Sequence, residues 1–536
     1  MVGTMSAADV ESDQLHPSRA QARAAMLEHV AELERRRAEA LAMGGPERIA
    51  RHRASGRLTA RERIDLLIDA GSWHELGLLA LPETRPDTPG GADGLITGWA
   101  RVGGRRVAVM AVDATVLGGT TARVNASKLM RLFTAAGRSG FPIIVLADAD
   151  GGRMPDLMGW RFGGLPIAFD AFLATPDGYP TVLRLCAALG PCFGDAGIEA
   201  SAAHFSVMTP NASIALSGTE VVATATGEQL SNTELGGPEV AIGHAGTVEM
   251  LAQTEHEAIA ALRRVLTYLP DNAAQEAPLA LPVPPKRSAE DLLHLLPVER
   301  KHGYDMRPVL DAVFDEGTIL EYGAMKGPGL ICAFARIEGM AVGLAASQPM
   351  RHGGALDVPA LQKWLDFIEV CDTFNLPLVM LHDVPGLLIG SNEERRGLIK
   401  HLERVALRLS QAKVPKVAVV LRKSYGGGYF LLAGKQSSPD LLVAWPTAEL
   451  GFMAPEAGVR TVHRRELEIL RAEGGAEAYE QRLSELVEQW SHESEPWEAA
   501  ANFYLDDIID PRETRGVIVA GIEFTWREGR VSKAGL

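Results

Sequence analysis

The sequence predicts an α/β fold laid down twice in tandem. Three observations carry this. A chain of 536 residues is too long for one compact core, so two domains of roughly 200 residues or more are expected. Two stretches match without a gap, "ARVGGRRVAVMAVDATVLGGTTARVNASKLMRL" from Ala100 and "ARIEGMAVGLAASQPMRHGGALDVPALQKWLDF" from Ala335. The same offset carries Lys128 onto Lys363 and Pro142 onto Pro377. In each copy hydrophobic strand patterns alternate with helical ones, which implies α/β units and parallel pairing. A short period, of the length of one helix pair, would mean a solenoid. This much longer spacing means two similar domains.

The elements follow in order. Residues 1–30 read as a flexible tail, and "ERRRAEALA" (Glu34 to Ala42) has a charged helical composition. The first domain spans 31–270. Its hydrophobic strand ends in a loop at Gly118-Gly119, an amphipathic helix follows, and "GFPIIVLAD" makes a Pro-introduced strand ending in Asp148. A linker is placed at 271–300, because Pro270 to Asp291 is rich in Pro and Ala and lacks periodicity. The second domain, 301–536, repeats the grammar with Gly353-Gly354 and with "NLPLVMLHD", ending in Asp383. There "VPKVAVVLRK" (Val414 to Lys423) reads as a buried strand, and "SYGGGYFLLAGK" (Ser424 to Lys435) as a glycine turn opening a helix.

Bulk properties exclude several classes. A net charge of −15 argues against nucleic acid as a partner, since phosphate binding needs clustered Lys and Arg. No apolar run reaches the roughly 18 residues of a membrane span. The first residues are acidic and lack the apolar segment of a signal peptide. Four cysteines without a C-x-x-C pair argue against a zinc ribbon and for reduced thiols in a cytoplasmic protein.

Three glycines in succession need a reason, because glycine within a helix costs about 1 kcal/mol relative to alanine. "LGPCFGDAGIEASAAH" (Leu189 to His204) places another glycine turn at about the same point of the first copy. Two loops offering backbone amides at helix starts make two candidate oxyanion holes. The competing reading is close packing of helix on sheet.

At these residues the chain resembles the carboxyltransferase (β) subunit of biotin-dependent acyl-CoA carboxylases, of the propionyl-CoA and acetyl-CoA carboxylase type. The resemblance covers about residues 50 to 500 and rests on a series of stretches. These are "GRLTARERIDLLIDAGSWHELG" (from Gly56), "VLGGT" (from Val116), "GYDMRPVL" (from Gly303) and "ARIEGMAVGLAASQPM" (from Ala335). They continue with "CDTFNLPLVMLHDVPGLLIG" (from Cys371), "VPKVAVVLRKSYGGGY" (from Val414) and "AWPTAELGFMAPEAGV" (from Ala444).

The resemblance implies a tandem pair of crotonase-like domains in a homo-oligomer, a hexamer, with the first half of one subunit facing the second half of another. It implies that biotin arrives on a partner, a biotin carboxylase/biotin carboxyl carrier subunit, and that the substrate is a CoA thioester. Carboxybiotin releases CO₂, the biotin anion takes the α-proton, and the enolate attacks CO₂, so no protein base and no metal are required. By resemblance the amides of Gly427 and Gly428 hold the ureido oxygen, while Gly194 and Asp195 hold the enolate oxygen. Gly353, Gly354, Tyr425 and Gly426 line the biotin side. Gly118, Gly119, Gly151, Gly152 and Phe430 line the acyl-CoA side.

Other motifs have plainer readings. "DADGGRMP" (Asp148 to Pro155) is either acyl-pocket wall or simple turn chemistry. "AMKG" (Ala324 to Gly327) is a turn rather than a biotin attachment site, so biotin is not attached to this chain. His204, His256, His401 and His463 are scattered, as structural or solvated histidines are, and "HRRELEILRAEGG" (from His463) reads as a solvent-facing helix. The first half departs most from the family. Asp195 stands where a second glycine is expected, the acyl-pocket loop is one residue shorter, and Asp156 to Pro180 shows little likeness. Two readings of Asp195 follow: it turns away to cap its helix, or it contacts the substrate. The alternatives to a carboxylase subunit are a biotin-dependent decarboxylase or transcarboxylase, a non-catalytic assembly subunit, and a biotin-independent crotonase-type enzyme.

Overall fold

The computed structural model describes residues 17–85, 87, 88, 90–167 and 179–526. Part of the expected tail, and part of the divergent stretch from Asp156 to Pro180, thus lie outside the described residues. Two eight-stranded sheets form, one in each half. The first holds β1 (His74–Leu76), β2 (Leu95–Val102), β3 (Arg105–Val112), β4 (Ile143–Ala149), β5 (Arg184–Phe193), β6 (Phe205–Met208), β7 (Ser213–Ala215) and β8 (Met250–Leu251). The second holds β9 (Leu320–Tyr322), β10 (Leu330–Ile337), β11 (Met340–Ser347), β12 (Leu378–Val384), β13 (Lys416–Tyr425), β14 (Leu441–Ala444), β15 (Glu449–Gly451) and β16 (Asp507–Ile508).

Their topologies coincide strand for strand. The order β1-β2-β3-β4-β5-β6-β8, with β7 beside β5, is matched by β9-β10-β11-β12-β13-β14-β16, with β15 beside β13. In both, the first three strands are antiparallel and the rest parallel. The crossover from the third strand to the fourth is a helix, Arg123–Ser139 in the first half and Val358–Thr373 in the second. Its buried face, Leu129, Phe133 and Ala136 in one and Trp364, Phe367 and Ile368 in the other, carries the apolar periodicity that makes it amphipathic. Even a register irregularity recurs, between Ala147 and Ala149 on β4 and between His382 and Val384 on β12.

The halves share a core. Phe205 of the first packs against Tyr322 and Phe334 of the second, and Tyr268 stacks on Phe334, at centroid separations of 6.0–6.3 Å, and Phe367 extends this ring cluster within the second half. The Pro/Ala-rich connection is tied down rather than loose. Asn375 Nδ2 donates to Ala273 O and Gln275 O, Arg336 Nη1 donates to Pro278 O, and Ala280 N donates to Gly339 O. A helix already begins at Pro17, inside the stretch expected as a tail, and runs to Leu41. Ion pairs at helical spacing line it, Arg35 with Glu32 and Glu39, and Arg37 with Glu34. The stretch from His463 lies on a long helix, Arg464–Glu493, that breaks at Gly475 (φ 79°) and is largely exposed. No helix among the described residues is long and apolar enough to cross a membrane.

Candidate active site

Three loops gather where the parallel strands end, in each half alike. The turn Leu117–Gly119 follows β3 and His352–Gly354 follows β11, with Gly118 and Gly353 both left-handed (φ 66° and 63°). The loops after β4 and β12 bring Gly151 and Gly386, and the loops after β5 and β13 bring Gly194-Asp195 and Gly426 to Gly428. Backbone bonds tie the first two loops together: Thr121 N donates to Gly151 O (2.8 Å) and Leu356 N to Gly386 O (3.1 Å). In open α/β sheets this edge, beyond the carboxyl ends of the strands, is where ligands bind. So Gly118, Gly119, Gly151, Gly152, Gly194 and Asp195 come together in one cluster, and Gly353, Gly354 and Gly426 to Gly428 in another. Among the described residues no hydrogen bond or ion pair joins the two clusters.

The glycine triplet is explained position by position. Gly426 is left-handed (φ 51°), and a Cβ there would lie 2.8 Å from Phe452 O. A Cβ on Gly428 would lie 2.5 Å from Val384 Cγ2, and one on Gly427 would lie 3.1 Å from Leu387 Cδ1. Close packing on the ends of β12 and β15 therefore excludes side chains at Gly426 and Gly428. The packing and oxyanion readings are compatible here, because the same tight seat opens the helix Gly426–Leu431, whose first amides have no partner inside the helix. Tyr425 is 1% exposed and its hydroxyl bonds Glu449, which Arg300 Nε holds at 2.9 Å. Its ring thus props the loop from beneath. Phe430 is 40% exposed and packs beside Tyr429 at 5.7 Å.

The first-half loop differs from expectation. Gly194 N–H is consumed by Ala215 O and Leu216 O, both at 3.2 Å, because β5 pairs with β7 there. The donors expected at Gly194 and Asp195 move one residue on, to the amides of Asp195 and Ala196, and both are engaged by the Asp195 side chain. The Asp195 carboxylate accepts a hydrogen bond from Thr121 Oγ1 (2.5 Å) and is drawn by its own N–H and that of Ala196. It turns inward, between Thr121 and the first amides of its own helix. Burial raises its pKa against the pull of those donors.

Beneath the loops, the two repeat aspartates are buried and paired by different means. Asp148 meets Arg63 Nη2 (2.9 Å) and Arg57 Nη1 (2.8 Å), and Arg63 in turn pairs with Glu255 (2.7 Å). Asp383 meets Arg422 Nε (2.9 Å) and Lys423 Nζ (3.4 Å). Lys128 and Lys363, equivalent positions of the repeat, cap carbonyls in both halves. Sequence reasoning missed Gly386, Thr121 and Glu199. Gly386 stands to Gly151 as Ala335 stands to Ala100, so the repeat itself carried the signal. Glu199 lies one helical turn after Asp195, which places both on one face.

Comparison with known proteins agrees with this architecture. A carboxyl transferase domain matches residues 51–534. The carboxyltransferase subunit of propionyl-CoA carboxylase from Haloferax mediterranei is 34% identical, over 93% of this chain and 96% of its own length. Methylmalonyl-CoA decarboxylase subunit alpha from Propionigenium modestum is 31% identical, over 94% of this chain and 96% of its own. The hexameric transcarboxylase 12S structure with methylmalonyl-coenzyme A and methylmalonic acid bound superposes with a TM-score of 0.85 and 32% identity, covering 94% of this chain and 97% of that one. With its paired crotonase-like sheets and loop clusters, the chain belongs to the carboxyl transferase family of biotin-dependent acyl-CoA carboxylases.

Proposed function

We propose that this chain moves a carboxyl group between biotin on a carrier partner and the α-carbon of an acyl-CoA thioester, with the second-half cluster serving biotin and the first-half cluster serving the thioester. The observation that carries this is the duplication of one loop cluster, each copy ending at a helix whose first amides lack intrahelical partners. Carboxybiotin, when bound, supplies the CO₂ and a base. The fit is a matter of donors and shape: Gly427 and Gly428 present N–H groups to an oxygen that gains negative charge, and they carry no side chain to block it. Leu387 and Leu402 make an apolar wall beside Gly427. Asp195 and Ala196 occupy the equivalent place for the thioester oxygen.

Because the two clusters are separate within one chain, a complete site needs a second copy, and we extend the hexamer of the transcarboxylase 12S structure to this protein. Large apolar side chains near the clusters support such an interface, with Trp160 and Leu216 exposed by 82% and 81% in the first half and Ile389 and Phe452 by 81% and 84% in the second. The test supplies a carboxylated biotin carrier carrying labelled carbon, together with a panel of acyl-CoAs. Labelled carboxyacyl-CoA is expected, along with a hexamer in analytical ultracentrifugation. Absence of label from every acyl-CoA, or a stable monomer at micromolar concentration, overturns the reading. Efficient transfer only from methylmalonyl-CoA to biotin would make the decarboxylase direction the physiological one.

A further inference from the structure

The first-half cluster carries an acidic group that the reaction does not use. Glu199, on the same helix as Asp195, is 6% exposed, and its Oε1 has no hydrogen-bond partner. Together with Asp195 it lines a cavity of about 20 Å³ directly behind the loop. Thr121 and Asn125 supply its remaining polar side chains, and apolar residues of β2, β3 and the helix Arg123–Ser139 close it. Burial and the Asp195 charge both push the Glu199 carboxyl well above the usual range, and no cation counters them. The other titratable groups facing it are the thiols of Cys186 and Cys192 on β5, kept neutral by burial. Two carboxyls this close, with no cation between them, cannot both ionise at neutral pH and titrate as a pair.

We propose that Asp195 and Glu199 hold one proton between them through a water in this cavity, and that Glu199 passes it to Asp195 as negative charge grows on the thioester oxygen. A water needs roughly 10–15 Å³ and at least two polar partners, and the cavity offers both carboxyls and Thr121 Oγ1. In the resting pair the proton sits on Glu199, which has the poorer hydrogen bonding, and Asp195 is the carboxylate held by Thr121 and the amides. In the transfer step the Glu199 O–H bond breaks, the water relays, and an Asp195 O–H bond forms. The pair keeps a charge of −1 throughout, but that charge moves from beside the thioester to one helical turn away. Asp195 then releases the amides and joins them as a neutral donor. Glu199 is in this scheme a positioning residue for charge, and Asp195 the group that meets the substrate. The inference rests on the assignment of the thioester to the first-half cluster.

The test uses the full chain and two independent readouts. The infrared difference between the parent and Glu199→Gln, taken without substrate at pH 7, should contain one protonated carboxyl that only the parent holds. Transfer between biotin and propionyl-CoA should fall about 100-fold in Glu199→Gln, the scale of a lost oxyanion donor, because Asp195 is left charged. Adding Asp195→Gly to that variant should restore most of the rate by removing the charge and freeing the amides. No protonated carboxyl in that difference, a Glu199→Gln enzyme with parental rates, or a double variant no faster than the single one would overturn the proposal. Should no acyl-CoA be carboxylated by the parent, the infrared result alone decides the proton, and the thioester assignment falls separately.

Discussion

Alanine at Gly427 and alanine at Gly428 differ by one position and should differ greatly in effect. At Gly428 the new Cβ would sit 2.5 Å from Val384 Cγ2 and 3.0 Å from Cγ1. Carbon atoms rest at about 3.5–4.0 Å, so the gap must open by about 1 Å. Val384 cannot give way easily, since it is fully buried and β-branched, with restricted rotamers and its backbone paired with Ser424 of β13. The helix start moves instead, at a strain of about 1–3 kcal/mol. A displacement of about 1 Å in positioned donors costs on the order of 100-fold in rate.

At Gly427 the nearest atoms are the end of Leu387 at 3.1 Å and Leu402 Cδ1 at 3.4 Å, both able to rotate aside. Alanine also favours the helix by about 1 kcal/mol over glycine. We expect Gly427→Ala to keep most of the activity and to be at least as stable as the parent, while Gly427→Val, with two further methyls against the leucines, loses it. Gly428→Ala should lose about 100-fold in biotin-dependent transfer and a few degrees in thermal unfolding. Val384→Ala should return part of both, since the two side chains share one contact. Equal behaviour of the two alanine variants, or failure of Val384→Ala to couple with Gly428→Ala, would refute the packing argument.

Other outcomes follow from the buried charges. Burial pushes Glu249 from an ordinary 4.5 up to about 7; the native state therefore binds the extra proton between those values, stability falls as pH rises through that window, and Glu249→Gln should remove up to about 3 kcal/mol of pH dependence in unfolding titrations. Burial lowers Lys128 to about 7, with the opposite sign: the unfolded chain holds the proton up to the ordinary lysine range, stability rises above pH 7, and Lys128→Met should flatten that alkaline limb in thermal midpoints. Arg422→Met strands the fully buried Asp383 beside Lys423 alone and should cost about 3–5 kcal/mol in denaturant unfolding, whereas Arg464→Met, which breaks an exposed pair with Glu468, should cost less than about 1 kcal/mol.

Legibility varied with the range of the interaction that decided each feature. The offset that carries Ala100 onto Ala335 holds in the structure for β2 and β10, β3 and β11, β4 and β12, and both glycine turns, because local pattern and backbone conformation set these together. It breaks at β5 and β13, whose first residues, Arg184 and Lys416, no longer fall on one another, since the loops before them differ in length. The partner of Asp148 was not legible: Arg63 comes from the helix Ala60–Leu67, and nothing in the spacing links it to a strand end. Nor was the fate of Gly194 N–H, which depends on the pairing of β5 with β7 rather than on the glycine itself. The scattered histidines were read in a way that suits His204, half-buried against Arg184 and Phe374 with its pKa held well below the ordinary value. Glu199 looked like one charge on a small-residue helix. Its burial is decided by which face of that helix meets the sheet.

The duplicated scaffold carries unequal charge beneath its two loops, and that inequality suits two different oxygens. Under the second-half loop Asp383 faces two cations, Arg422 and Lys423, so the strand ends carry an excess positive charge close to the glycine triplet. Under the first-half loop Asp148 and Glu255 balance Arg57 and Arg63, so these four groups leave no excess positive charge. An oxygen that must hold a full negative charge once CO₂ has left is better served by the former, since field and amides then act together. A thioester oxygen whose charge exists only while the carbon nucleophile forms gains less from a fixed positive field, and the first half has instead placed acids there. One unit of charge at about 4 Å is worth up to about 4 kcal/mol at an effective dielectric of 20, nearly a thousandfold in rate. A permanently charged Asp195 in that position would cancel the benefit of its own amide. On the proposed assignment, the two halves keep one backbone plan and differ in how charge is supplied: by fixed cations under the loop assigned to biotin, and by the proposed movable proton under the loop assigned to the thioester.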